Sequence, residues 1–363
     1  MATAEEVATA LAYEFLRDGR FSQSIGPTEV PYLAKAVAAG DGEEIVQQRA
    51  SESFGNIAVQ SVGFEEGTEK PKVHLYLTRG TNKLINSLPT EVSGVTVQAH
   101  KMGAVNVRPD SAALSTNHGH FFSLNNRICC GSSCAPTSEN CTGTLGALVR
   151  MSGSQELYLL SNNHVFAGCN HVPHNQPILS PSSNDGKPSI PAPREIGRHE
   201  LIHELRSGDP IFVNPCDMDL ALARATDPQV LSSWQGDPQE GYDTPVQVSA
   251  PSSRMKVKKF GRTTGLSYGF VQAKITAPMA IGYSSKHFKG TVWFKDVWTV
   301  RSRSSDPFAL PGDSGSLVVS DNGLTAIGIL FAANNTGEYG WIVPMPSVMG
   351  AFGGLKLVRQ HGV

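Results

Sequence analysis

The sequence predicts a mainly β protein, two antiparallel barrels preceded by a small α/β unit. Short apolar runs recur along most of the chain, set apart by Gly, Pro, Asn and Asp. With 36 Gly and 23 Pro among 363 residues, tight turns between many short strands are expected. Barrels are preferred to a sandwich because three chemically capable side chains, remote in sequence, then fall on loops that converge on one cleft.

Residues 4–17 place Val7, Ala8, Leu11, Phe15 and Leu16 near helical spacing, with Asp18-Gly19 as a stop, and predict an amphipathic helix. Residues 30–39 predict another before Gly40-Asp-Gly42, so residues 1–50 read as a helical segment covering part of the core. Strands at 57–59, 73–77 and 95–97, with a helix at 82–88, make residues 51–110 a small α/β unit. That unit has no phosphate-cradling glycine loop and no acid and base pair, which points to docking rather than chemistry. Its strand edges offer a second copy a place to pair, hence a homo-oligomer. Residues 111–140, polar and cysteine-rich without periodicity, predict a linker.

From residue 141 to 363 strand candidates follow at 144–149, 156–160, 220–224, 255–261, 269–275, 292–300, 315–319, 324–331 and 340–343. These make up the double-barrel domain. A chain of this length has room for two domains and a sizeable core.

Thirty basic residues against 32 acidic ones give a net charge of −2, without blocks of either sign. That balance argues against nucleic-acid or membrane-surface partners. Acids stand near the start where a signal peptide carries bases, and no apolar run reaches about 18 residues, so a cytoplasmic location is expected. Four of the six cysteines crowd into residues 129–141. In that compartment reduced thiols are expected, with a zinc cluster as the alternative. Cys169-Asn-His171-Val-Pro-His174 holds further ligand types but lacks the spacing of a standard zinc motif. No cofactor or metal is therefore expected.

Gly312-Asp-Ser-Gly-Ser316 carries the strongest chemical signal. Its glycines permit backbone conformations closed to other residues, so the turn can expose the Ser314 hydroxyl and aim the amides of Gly312 and Ser314 at one point, an oxyanion hole. A serine hydroxyl is a poor nucleophile until a histidine takes its proton and a carboxylate orients that histidine. His164 ends the apolar run Leu159-Leu160 after the turn Ser161-Asn-Asn163 and is the candidate base. Asp219, opening Leu220-Ala-Leu-Ala223, is the candidate orienter, with Asp217 in reserve. The order His, Asp, Ser separates this set from subtilisins and α/β-hydrolases. Gly261-Arg-Thr-Thr-Gly265 is not a phosphate loop, because it lacks the Gly-Lys-Ser/Thr ending and a following helix; Arg262 reads as a structural residue of a hairpin.

The runs Gly143-Thr-Leu-Gly-Ala-Leu-Val149, Leu160-Ser-Asn-Asn-His-Val165, Asp219-Leu-Ala-Leu-Ala223, Lys259-Phe-Gly-Arg-Thr-Thr-Gly265, Gly312-Asp-Ser-Gly-Ser316 and Ile327-Gly-Ile-Leu-Phe-Ala332 together resemble trypsin-like serine peptidases of the chymotrypsin fold. More narrowly, residues 56–355 are similar to the intracellular branch that includes plant narrow-leaf proteins and bacterial relatives. The resemblance implies peptide-bond hydrolysis through His164, Asp219 and Ser314, with a protein or peptide as substrate. Ser316 replaces the second glycine of the better-known enzymes, a change that branch shares. In relatives activated by cleavage, the acid before the serine pairs with a new amino terminus. Arg127-Ile128 is followed here by Cys-Cys-Gly, unlike such activation sites, so Asp313 is expected to find an internal partner.

Six residues before Ser314 stands Phe308 rather than an acid, and Phe308, Leu330, Phe331 and Ala332 are expected as walls of a pocket for an apolar or medium-sized side chain. Asp306 is close enough to keep a charged one open. Two rivals differ in class: a binding or scaffolding protein of this fold with a non-productive triad, and an esterase using the same constellation.

Overall fold

The computed structural model describes residues 2–17, 58–86, 88–103, 105–107, 120–139, 141–185, 190–208 and 214–363. The helix expected at 30–39 lies outside them.

The helix Ala4–Arg17 starts on a capping box. Thr3 N–H donates to Glu6 Oε2 at 2.8 Å, and Glu6 N–H returns a bond to Thr3 Oγ1 at 3.2 Å. One face, including Val7, Ala8, Leu11 and Phe15, is buried in a cluster with Val59, Val62, Leu75 and Leu77. The helix therefore serves as a lid on the strands Ala58–Phe64 and Val73–Arg79. Val73–Arg79 runs parallel to Val95–Lys101, the two being joined through the short helix Asn82–Asn86. This is the α/β unit that the sequence predicts.

Six antiparallel strands close the carboxy-terminal barrel. Lys256–Gly261, Leu317–Ser320, Thr325–Ala333, Tyr339–Pro344, Trp298–Ser302 and Gly265–Ile275 pair in that order, and the last returns to the first. Where Gly265–Ile275 outruns Lys256–Gly261, its Lys274 and Ile275 pair with Phe64 and Gly63, so the α/β unit extends the barrel sheet.

The other barrel is an eight-stranded sheet curled on itself. Gly143–Thr144 and Ala147–Met151 lie on one stretch of chain that bends at Leu145 and Gly146. Its first end pairs with Ser133–Pro136 and its second with Tyr158–Ser161, which continues to Ala221–Ala225 and Arg194–Ile202. Leu157 and Leu159 point into this barrel, while Tyr158 and Leu160 point into the larger core shared with the other barrel. Strands buried on both faces read as continuous apolar runs, and Leu157-Tyr-Leu-Leu160 is one.

Three expectations are corrected. Residues 123–136, read as linker, form the strands Ser123–Leu124, Arg127–Cys130 and Ser133–Pro136, because Cys129, Cys130 and Cys134 behave as small apolar residues and are buried. The strand expected at 292–300 is two, Lys289–Phe294 and Trp298–Ser302, parted by a turn where Asp296 takes φ +55°. Arg194–Ile202 and Met279–Ser284 were not expected: the first is rich in charge, and the second lies in a run the sequence leaves unassigned.

Candidate active site

Two of the three candidate residues come from the curled barrel. Ser161 pairs with Ala221, so the end of Tyr158–Ser161 lies beside the start of Ala221–Ala225. His164 on the one-turn helix Asn163–Phe166 and Asp219 just before Ala221 therefore meet. Asn162 Nδ2 donates to the Asp219 carbonyl at 2.7 Å and fixes the approach. The His164 Nδ1 to Asp219 Oδ2 distance is 2.6 Å, and His164 N–H donates to Oδ1 at 3.2 Å. Asp219 is fully buried and His164 nearly so. An ionised carboxylate only accepts, so it selects the tautomer with hydrogen on Nδ1 and leaves Nε2 able to take a proton.

Ser314 comes from the closed barrel, on the loop between Trp298–Ser302 and Leu317–Ser320. Gly312 and Gly315 take φ of +100° and +96°, which L side chains rarely adopt, and a Cβ on Gly315 would overlap Ser161 Oγ and the Thr144 carbonyl. The curled barrel grips the turn: Thr144 N–H donates to the Ser314 carbonyl at 2.8 Å and Thr144 Oγ1 to that of Gly312 at 2.9 Å. The amides of Asp313, Gly315 and Ser316 bond to Leu310, Leu330 and Asp313 carbonyls. Among the described residues, the amides of Gly312 and Ser314 have no partner. His164 and Ser314 line one cleft of about 50 Å³ together with Gly312. No hydrogen bond joins Ser314 Oγ to His164 Nε2 among the described residues; such bonds often tighten only when substrate is bound.

Asp313 has internal partners. Lys259 Nζ lies 3.3 Å from its Oδ2, and both side chains are fully buried. Thr263 N–H (2.8 Å), Thr264 N–H (3.1 Å), Thr264 Oγ1 (2.9 Å) and Leu310 N–H (2.9 Å) also donate to the carboxylate. Burial holds the Lys259 ammonium below its ordinary pKa, opposed by the attraction of Asp313. These bonds tie the residue before Ser314 to Lys259, to the turn at Thr263 and Thr264, and back to Leu310.

The expected pocket walls divide. Leu330 and Ala332 line the cleft, as do Leu310, Ala333 and Asn334. Phe308 and Phe331 do not: Phe308 is fully buried in the core of the closed barrel, 5.5 Å beneath the Lys259 ammonium, and Phe331 packs against Phe294. In the strand Thr325–Ala333 neighbouring side chains leave opposite faces, which sends Phe331 into the core. Asp306 lines a separate hollow with Thr263 and Tyr268. Asp217 pairs with His203 Nε2 at 3.2 Å rather than with His164. Arg262 forms a forked ion pair with Asp185, with Nε 3.1 and 3.2 Å from the two oxygens.

All six cysteines are unbridged and buried. Burial pushes the Cys129 and Cys141 thiols up to about 12, which makes them poor nucleophiles. Among the described residues no group of three or more His, Cys, Asp or Glu side chains is arranged to hold a metal ion, and no helix is long and apolar enough to cross a membrane. Sequence reasoning missed Lys259, Tyr283, and the segment Asn106–Val107 that also lines the cleft.

No family model matches the chain, and no curated protein matches it. Solved structures similar to it include a glutamic-acid-specific serine protease, 17% identical over 64% of this chain and 100% of that one, with a TM-score of 0.43. Thermobifida fusca protease A is 17% identical over 63% of this chain and 97% of that one, TM-score 0.43. Nocardiopsis protease is 19% identical over 62% and 95%, TM-score 0.40. Likeness this distant assigns no role to any residue.

Proposed function

We propose that the protein is a serine endopeptidase working through an acyl-enzyme. The observation that carries this reading is the 2.6 Å contact of His164 Nδ1 with buried Asp219, on the wall of the cleft that Ser314 also lines. His164 Nε2 takes the Ser314 proton as Oγ attacks the substrate carbonyl carbon. The oxygen then gains negative charge, and the amides of Gly312 and Ser314, unpaired and on a clamped turn, receive it. His164 returns the proton to the leaving amine, and water hydrolyses the acyl-serine by the same steps. Leu310, Leu330 and Ala332 on the cleft wall favour an apolar side chain of moderate size. The reading extends to the intracellular branch named above and to a cytoplasmic location, which six unbridged thiols support.

A fluorophosphonate probe tests it. Wild type should label and Ser314→Ala should not, while His164→Ala should lose nearly all labelling and turnover with its fold retained. The missing Ser314 to His164 bond favours a second reading, a binding protein with a non-productive triad; absence of labelling in wild type would select it. Ester turnover without cleavage of any peptide library would select an esterase.

A further inference from the structure

Resting on the peptidase reading, we infer that Tyr283 is a positioning residue for the catalytic acid, its hydroxyl donating to the Asp219 oxygen that also receives His164. Tyr283 OH lies 2.8 Å from Asp219 Oδ2, the atom 2.6 Å from His164 Nδ1. Its ring meets the imidazole edge-to-face, with centroids 5.7 Å apart and planes at 69°. Both Tyr283 and Asp219 are buried, so the hydroxyl has no water to turn to. Burial, and next the charge of Asp219, raise the Tyr283 pKa well above its usual value, so the hydroxyl keeps its proton and stays a donor throughout the working range.

The placement of Tyr283 is built, not incidental. It sits on Met279–Ser284, whose other edges are fixed by Lys289–Phe294 on one side and by Asn106–Val107 on the other. Tyr283 pairs directly with Val107, which lines the cleft. Neither barrel contributes this strand, so the third donor on the catalytic carboxylate reaches it from outside the scaffold that supplies His164 and Ser314.

The hydroxyl does two things to the acid. It fixes the carboxylate plane, which among the described residues is otherwise held by His164. It also draws charge from Oδ2, which lowers that oxygen's pull on the Nδ1 proton and thus the stability of the imidazolium. Removing the hydroxyl should loosen the acid and slow the reaction while strengthening the hold of Asp219 on the imidazolium. The other titratable groups facing Asp219 are Cys169, after the His164 helix, and Cys216, before the acid; burial pushes both thiols up, so neither titrates in the same range. The exposed pair His203 and Asp217 lies at the edge of this region.

The test uses the whole 363-residue chain, first shown to label with fluorophosphonate. Tyr283→Phe should lower kcat about tenfold, the effect of one hydrogen bond to a charged group, with KM little changed. The acid limb of its kcat/KM profile should move to higher pH, and the proton resonance of His164 Nδ1–H should move further downfield. A ring-fluorinated tyrosine at 283, a stronger donor with the same shape, should shift limb and resonance the opposite way, and it keeps the test open should Tyr283→Phe fold poorly. Unshifted profiles and resonance in both variants would overturn the inference. Failure of wild type to label would instead remove the peptidase reading, and the resonance would still report whether the hydroxyl tunes the His164 and Asp219 pair.

Discussion

Replacing Lys259 with Met removes the cation paired with Asp313 and leaves a fully buried carboxylate that has lost this countercharge. At 3.3 Å and an effective dielectric near 20, the direct attraction is about 5 kcal/mol. Breaking a buried pair by removing one partner costs about 3 to 5 kcal/mol, because the other charge stays desolvated. Four donors from Thr263, Thr264 and Leu310 remain on Asp313, which places the expected loss at the lower end, about 3 kcal/mol. Equilibrium unfolding in guanidinium chloride measures it. Since the same carboxylate anchors the residue next to Ser314, fluorophosphonate labelling should slow at least about tenfold. In a double-mutant cycle, Lys259→Met with Asp313→Asn should lose less than the sum of the two single changes, by about 2 kcal/mol. A Lys259→Met protein within about 1 kcal/mol of wild type, or strictly additive losses, would refute the reasoning.

Gly315→Ala places a Cβ against Ser161 Oγ and the Thr144 carbonyl at a φ of +96°; a stability loss of about 3 kcal/mol is expected, with labelling nearly abolished, and a melting temperature equal to wild type would contradict it. His100 bonds to His74 Nδ1 at 2.8 Å and to the Tyr339 hydroxyl at 3.2 Å. Burial, then the neighbouring His74, lower its pKa from 6.5 to about 3. Between those values the unfolded chain holds more protons than the folded one, so stability should fall as pH drops through 6.5 toward 3. Denaturant titrations across that range should show a shallower fall in His100→Gln, and equal slopes would exclude this source.

The contact of His164 with Asp219 and the cleft that His164 shares with Ser314 join three candidates that each stand in a short local pattern: an apolar strand ending in a turn, an acid opening a strand, a glycine-flanked serine. Lys259 had a weaker signal. In Lys256-Val-Lys-Lys259 the strand period puts it on the face of Val257, and both are fully buried. Composition hid this, since three lysines in four residues read as a solvated edge. Tyr283 left no local trace, because its place beside Asp219 depends on a pairing with Asn106–Val107 across nearly half the chain. Phe308 and Phe331 failed for a different reason: closeness to Ser314 in sequence or to Ala332 along a strand does not say which face a side chain takes.

The pairing of Gly63 and Phe64 with Ile275 and Lys274 bears on how the protein can be made. A shortened version starting at the double barrel would strip the helix Ala4–Arg17 and its strands from that border, baring the edge of the sheet at Lys274 and Ile275. Such a raw border recruits other chains. The helix Ala4–Arg17 and the strands Ala58–Phe64, Val73–Arg79 and Val95–Lys101 are therefore better regarded as a permanent selvedge on the barrel than as a detachable preface.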